Sequence, residues 1–552
     1  MKTEAKTERR FAGIAQLSLR SLALGVLGSC VITASSMYVA LRMSALPWPT
    51  IFVAVLSMAL LKAIGRTTLN EINITQTAMS AGAMVAGGLA FTLPGLWISG
   101  RWQGPAVFRE HFWPVLLVTI AGVLLGTVLT WFMRRRFVEA EALPYPIGVA
   151  AAETITAGDR GGRKSALLFG TMVFSALFTY LRDGLGWIPA ALTSKWLYSR
   201  NYFVGIWVSP MAVGIGYMIG TLFTGIWFLG AVLSYLIIIP LGPAVHLFSS
   251  VQTAVAFKNT AGIGLMVGTG LGILIRYVIA LGQRLLRQRS AGPNRSRSDL
   301  SKERGTERVL SWLAFAAAFV LSVAGGIGPL PSALLLIGVW AASAMAATIT
   351  GQTGINPMEI FAIIILLAIR LLVRLDPTSA FLIAAGVAIT CGYAGDLLND
   401  YKAGQVLGTN PVAQLVSHVA GGLVGAVVGA LAMFAVIGQF GGVGPEKGLP
   451  AGQAFAVSQM VGGIGDPWVF GVAALIGVLL YLLKVPAMTL GIGMYLPFEI
   501  SAVVFLGGVS RWISDRIRPQ AAGSGNIAAS GLLGGEGITG VGIAICKLLT
   551  GG

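Results

Sequence analysis

Apolar stretches of about twenty residues recur from Ser21 to Leu549, each long enough to cross roughly 30 Å of hydrocarbon as a helix. No other feature constrains the chain as strongly, because so much apolar surface cannot be enclosed in one soluble core. Composition agrees: 55% of the 552 residues are hydrophobic and only 11% are charged, against about 25% charged in soluble domains. A soluble enzyme, a secreted disulfide scaffold and a disordered chain are excluded. What remains is an all-α polytopic membrane protein.

The net charge of +17 raises the question of a nucleic-acid partner, but the basic residues do not line one face. They sit at Lys2, Lys6, Arg9 and Arg10, in the run Arg134, Arg135, Arg136, and between Arg284 and Arg308. Basic clusters between apolar spans mark cytoplasmic loops under the positive-inside rule. Lipid is therefore the expected partner, not nucleic acid. Cys30, Cys391 and Cys546 each lie within apolar sequence and read as packing residues. His111, His246 and His418 are too far apart to signal a metal site, and no cofactor is expected.

Candidate spans lie near 15–41, 48–65, 72–98, 112–133, 166–187, 205–224, 226–248 and 259–282. They resume at 309–325, 332–350, 356–375, 379–399, 412–438, 468–484, 486–513 and 526–549, about sixteen in all. Segments 143–158 and 449–463 are too short to cross; each opens with Leu-Pro and reads as a half-helix entering the membrane partway.

These two segments also carry the first sign of duplication. Leu143-Pro144 aligns with Leu449-Pro450, which places Glu153 on Gln459. Gly214, Gly216 and Phe228 align with Gly491, Gly493 and Phe505; Asn259, Gly264 and Gly268 align with Asn526, Gly531 and Gly535. Three blocks in one order predict two homologous repeats, 1–282 and 308–552, joined by a basic cytoplasmic linker at 283–307. Whether the repeats run parallel or inverted stays open at this level. Small-xxx-small spacing such as Gly264/Gly268 and Gly531/Gly535 predicts close helix packing.

A carboxylate inside a span is costly and marks a candidate site. Asn73, Gln76 and Thr77 share one helical face and offer donors and acceptors suited to peptide amides or a carboxylate. In Gly395–Gly404, Asp396, Asn399 and Asp400 share a face if helical, while Lys402 points elsewhere; two nearby carboxylates suit proton carriage. Glu499 and Glu536 replace Leu222 and Thr269 of the first repeat, so the duplicated scaffold turns asymmetric there. Both acids could instead pair with a cation such as Arg511 or Lys547. No Walker A loop, HExxH or GxSxG motif occurs, which leaves an ion gradient as the energy source and argues against an enzyme.

The segments NEINITQTAMSAGAMVAGGLAFTLPGLW (70–97), LPYPIGVAAAET (143–154), GDLLNDYKAGQVLGTNP (395–411), LPAGQAFAVSQMVGGI (449–464), GMYLPFEIS (493–501) and GLLGGEGITG (531–540) stand in the order of the oligopeptide transporter (OPT) family, which the chain resembles. The resemblance implies about sixteen helices and proton symport of short peptides, or alternatively of siderophore- or nicotianamine-like metal chelates. Its compact loops look like those of a bacterial member, multi-pass in the inner membrane. Expected substrate contacts are Asn73, Gln76, Thr77, Lys402, Tyr495 and Gln459. Expected proton-coupling acids are Asp396, Asp400, Glu499, Glu536 and Glu153. Protons, the bilayer and a second copy in a homodimer complete the expected partners. These carboxyl and amide groups are expected to converge on one cavity midway through the lipid. A passive channel is the rival from another class, separable by its lack of uphill accumulation.

Overall fold

Helices start and stop where polar residues and prolines interrupt the apolar sequence. Ser209-Pro210, Asp376-Pro377, Asn410-Pro411 and Asp466-Pro467 each put a capping side chain before a proline in the first turn. That pairing satisfies a free backbone N–H and presets the helical φ. The computed structural model describes residues 16–43, 46, 49–104, 106–159, 163–290, 304–353, 356–462, 466–517 and 522–550.

The first half contains α1 (Leu19–Met43), α2 (Pro49–Ile64), α3 (Leu69–Ala90), α4 (Val107–Met133), α5 (Pro146–Asp159) and α6 (Arg163–Thr179). After α6 a π-helical turn, Tyr180–Gly184, leads to a short antiparallel hairpin, β1 (Ala191–Thr193) and β2 (Gly205–Trp207). Then come α7 (Pro210–Ile219), α8 (Thr221–Val232) and α9 (Val251–Ser290). The second half contains α10 (Arg304–Ala324), α11 (Pro329–Thr353), α12 (Met358–Leu372), α13 (Pro377–Leu407), α14 (Pro411–Gln439) and α15 (Gly452–Gly462). It closes with α16 (Pro467–Leu482), α17 (Ala487–Tyr495), α18 (Phe498–Ile517) and α19 (Ala522–Thr550).

The all-α class holds. Among the described residues seven helices are long and apolar enough to cross a membrane, and five further apolar helices have 10–17 residues. Three candidate segments differ from expectation. The stretch 205–224 begins as strand β2 and breaks again at Gly220, whose φ of 89° suits glycine. The stretch 486–513 is two helices, because Pro497 lacks the N–H that would continue α17 into α18. Helix α9 runs on to Ser290, into the expected linker; 291–303 lie outside the described residues, as does the N-terminal basic cluster. The two Leu-Pro segments do form short helices, α5 and α15.

Packing is reciprocal between the halves. Helix α6 packs on α19 while α16 packs on α9; α7 packs on α18 while α8 packs on α17; α4 packs on α13 while α14 packs on α3. The aligned rings of Phe228 and Phe505 stack on one another, 4.6 Å apart and 5° from parallel. Glycine permits these approaches. A methyl group on Gly268 would stand 2.0 Å from the Ala474 carbonyl oxygen, and one on the aligned Gly535 would stand 2.1 Å from that of Met172. Tyr145 and Ala451, each just after a Leu-Pro pair, both adopt φ of 42°. Their N–H groups bond to Gly351 and Leu41, at the ends of α11 and α1.

Candidate functional site

Helices α3 and α13 are the most deeply buried of the long apolar helices and pack on one another, and some of their polar residues meet there. Asp400 is fully buried, and its Oδ1 accepts 2.9 Å from Gln76 Nε2. Asn73 Nδ2 donates to Thr409 Oγ1 at 3.2 Å, and Thr77 Oγ1 donates to the Asn73 carbonyl. Gln414 on α14 ties the group together, donating to Thr77 Oγ1 and to the Asp400 carbonyl. Four buried oxygens are left without a hydrogen bond: Asp400 Oδ2, Gln76 Oε1, Asn73 Oδ1 and Ser80 Oγ. Ser80 and Thr50 lie near enough to act on the Asp400 charge, although Ser80 makes no bond of standard geometry. The site is rich in acceptors, and one oxygen of its carboxyl group makes no hydrogen bond.

The other residues of that α13 segment face separate partners. Asp396 is half-buried and accepts 2.9 Å from Asn356 Nδ2; Asn399 Oδ1 accepts from the Gly148 N–H of α5. Lys402 does point elsewhere, to Gln405 at the surface.

Glu536 is also fully buried, but in a different setting. Its Oε1 accepts from Arg182 Nη2 at 2.8 Å and from Ser209 Oγ at 3.0 Å. Its Oε2 accepts from Ser209 Oγ and from the Met211 N–H, both at 2.9 Å. Ser209 caps α7, so this carboxylate sits at a helix N-terminus where free N–H groups favour an anion. The π-helical turn after α6 sets Arg182 and Asp183 side by side. Arg182 Nε and Nη2 each donate 2.7 Å to Asp183, and Nη1 donates to the Val208 carbonyl. Asp183 Oδ2 also accepts 2.9 Å from Arg42 Nη1, which donates to the Tyr38 hydroxyl as well. Glu536 therefore pairs with Arg182; Arg511 instead binds Asp515 and Asn526. The Lys547 side chain lies outside the described residues.

The remaining expected residues lie apart from both groups. Glu499 is half-buried and accepts from the hydroxyl of Tyr198, which ends the one-turn helix Lys195–Tyr198 between the strands. Burial and that carboxylate together hold the Tyr198 hydroxyl above the usual phenol range. Tyr495 packs its ring 5.0 Å from Phe455, and its carbonyl accepts from Lys258 Nζ. Glu153 is exposed on α5 and Gln459 half-buried on α15. The expected groups thus occupy several places instead of one cavity.

Sequence reasoning missed Arg42, Arg182, Lys258 and Gln414. Arg182-Asp183 inside an apolar run was a usable signal, since a buried guanidinium demands acids around it. Lys258 is buried, and its Nζ donates to the Tyr235 hydroxyl and to the Met494 and Tyr495 carbonyls where α17 ends before Pro497. A cation at a helix C-terminus complements the dipole.

A profile described as OPT oligopeptide transporter protein matches residues 16–547. A protein of Haemophilus influenzae that bears the name "Putative oligopeptide transporter" is 28% identical across 94% of each chain.

Proposed function

The chain belongs to the OPT oligopeptide transporter family, and from that premise we propose that it is a proton-coupled importer of short peptides in the inner membrane. As a member it is a transporter, not an enzyme. The observation that carries the coupling is Asp400: a fully buried carboxyl with one oxygen held by Gln76 and the other free. In this reading the proton resides on Oδ2 of Asp400. The unpaired carbonyls of Asn73 and Gln76 receive peptide N–H groups when the cargo arrives, since buried acceptors left unpaired cost about 1–3 kcal/mol each.

Alternating access would come from two repeats of opposite orientation, with the crossing of α10 between them turning the second over. The ends of the helices support inversion. The end of α13 meets the starts of α1 and α3, through Asn410 N–H to Gln16 and Thr409 to Asn70. The start of α13 meets the start of α11, through Ser379 to the Gly326 carbonyl. Helices α1 and α11 therefore begin at opposite ends of α13. Breaks at Gly220 and Pro497, and reciprocal packing of the helices around them, fit a scaffold whose halves rock about a shared axis.

Uptake of a labelled tripeptide into proteoliposomes under an imposed ΔpH tests the reading. Accumulation above equilibrium, abolished by a protonophore, is expected. Equilibration without accumulation would make the protein a channel. Uptake of a metal chelate with no peptide uptake would replace the cargo.

A further inference from the structure

Asp400 has no exposed surface, so a proton reaches it only through a neighbour. The nearest acid on α13 is Asp396, one turn earlier and on the same face. From Ser379 to Tyr401, Asp396 is the one residue of the helix that is not buried. It has the access that Asp400 lacks.

That access lies at the break between α11 and α12. Asn356, in the break, is likewise only half-buried. Its Nδ2 donates 2.9 Å to Asp396 and 2.9 Å to the Cys391 carbonyl, while its Oδ1 is buried without a partner. The amide rests against α13, since a methyl group on Gly395 would stand 2.3 Å from Nδ2. Glu359 follows in the first turn of α12, only 6% exposed, and no other side chain among the described residues hydrogen-bonds to it. Asp396 lies near enough to act on the charge of both Glu359 and Asp400. Three acids thus form a row with Asp396 in the middle.

No cation balances the row. Among the described residues every ion pair uses another acid. Helices α11 and α15, which pack on α12, carry no charged residue. Lys258 of α9 is taken by Tyr235 and the end of α17, and Arg370 of α12 bonds the Val461 carbonyl. On the α13 side, Glu71 of α3 holds Arg20, Glu153 of α5 is exposed, and His418 of α14 faces Tyr401 and Thr127. The charges of α4 lie near its start and just past its end. Buried carboxylates without a cation are costly and are relieved by sharing protons.

We propose that Glu359 and Asp396 form the relay through which Asp400 takes up and releases its proton, with Asp396 as the link and Glu359 as the store. One proton passes from the Asp396 carboxyl to Oδ2 of Asp400, and Glu359 refills Asp396. Residues one turn apart have Cβ atoms about 5–6 Å apart, a span that two carboxyl side chains close by turning toward each other. Once Glu359 has given up its proton, the free N–H groups in the first turn of α12 support its charge. The relay rests on the proton-coupled reading and adds the route by which the proton arrives.

The test uses full-length protein in proteoliposomes with a pH-sensitive dye inside. It measures net tripeptide uptake under an imposed ΔpH beside exchange of labelled for unlabelled tripeptide. Exchange returns the loaded carrier without releasing the proton, so a relay defect spares it. Glu359→Gln and Asp396→Asn keep the side-chain shapes, and each should slow net uptake and lumen acidification about tenfold or more, with exchange within about twofold of wild type. A wild-type ratio of net uptake to exchange in either variant would overturn the relay. Equal loss of both rates in folded protein would mark a structural role and overturn it too. If neither variant folds, carbodiimide labelling of the wild type, read by peptide mass spectrometry, decides: modification at Glu359 or Asp396 supports the relay, and none at either contradicts it. Wild-type peptide uptake without acidification would overturn proton coupling itself, a failure visible before any variant is made.

Discussion

Asp400 and Glu536 are both fully buried carboxylates, yet their surroundings are opposites. Asp400 has one amide donor, no ion pair and a free oxygen. Glu536 has a guanidinium, a hydroxyl and a helix N-terminus, which leave neither oxygen unpaired. A carboxyl that exchanges protons needs an oxygen that can accept one without tearing a network apart. A carboxylate locked to an arginine serves instead to hold segments together: Glu536 joins α19 to the turn after α6 and to the start of α7. On the proposed reading the contrast separates a coupling group from a structural one, although the two acids look alike in sequence.

The largest effect should come from Arg182→Ala. It strands Glu536 without its cation and leaves Asp183 to Arg42 alone, and breaking a buried pair costs about 3–5 kcal/mol. Thermal unfolding in detergent should show a large drop or loss of the folded fraction; a stability near wild type would remove the locked character of Glu536. Next, Arg182→Gln combined with Glu536→Gln should be more stable than Glu536→Gln alone, since the double change removes both charges. Additive losses would mean that the two side chains are not coupled.

A middle-sized effect is expected for Gln414→Leu, which removes donors to Thr77 and the Asp400 carbonyl. It should cost about 1–3 kcal/mol and slow uptake, read from unfolding and initial rates. The smallest change belongs to Glu153→Gln. That side chain is exposed, so stability should stay within about 0.5 kcal/mol. A lost ΔpH dependence in that variant would place Glu153 on the proton path and weaken the contrast drawn between the two buried acids.

Much of this architecture was legible before any coordinates. Helix-length apolar runs, capping residues before prolines and small-residue spacing are local signals, and α13, α14 and α16 begin where Asp376, Asn410 and Asp466 say they should. The polar faces of Asn73, Gln76, Thr77 and Asp400 were also legible, each on its own helix. Which of the expected groups meet, Gln76 with Asp400 but neither with Glu499 or Glu536, was not, because periodicity says which side of a helix is polar and nothing about which helix faces it. The same gap hid the partner of Glu536: Arg182 lies 354 residues away, and only the fold joins them. The break at Gly220 was missed because a glycine inside an apolar run is also tolerated in a continuous helix, whereas Pro497 cannot donate to the ladder.

The most direct test measures proton entry alongside peptide entry in the same proteoliposomes, using a pH-sensitive dye inside the vesicles, for wild type and for Asp400→Asn. Asparagine keeps the shape of the side chain and can still bond Gln76, so folding should be retained. The account predicts that wild type acidifies the lumen when tripeptide is added, and that Asp400→Asn exchanges peptide across the membrane without moving protons or accumulating cargo. Peptide-driven acidification at the wild-type rate in Asp400→Asn would contradict it.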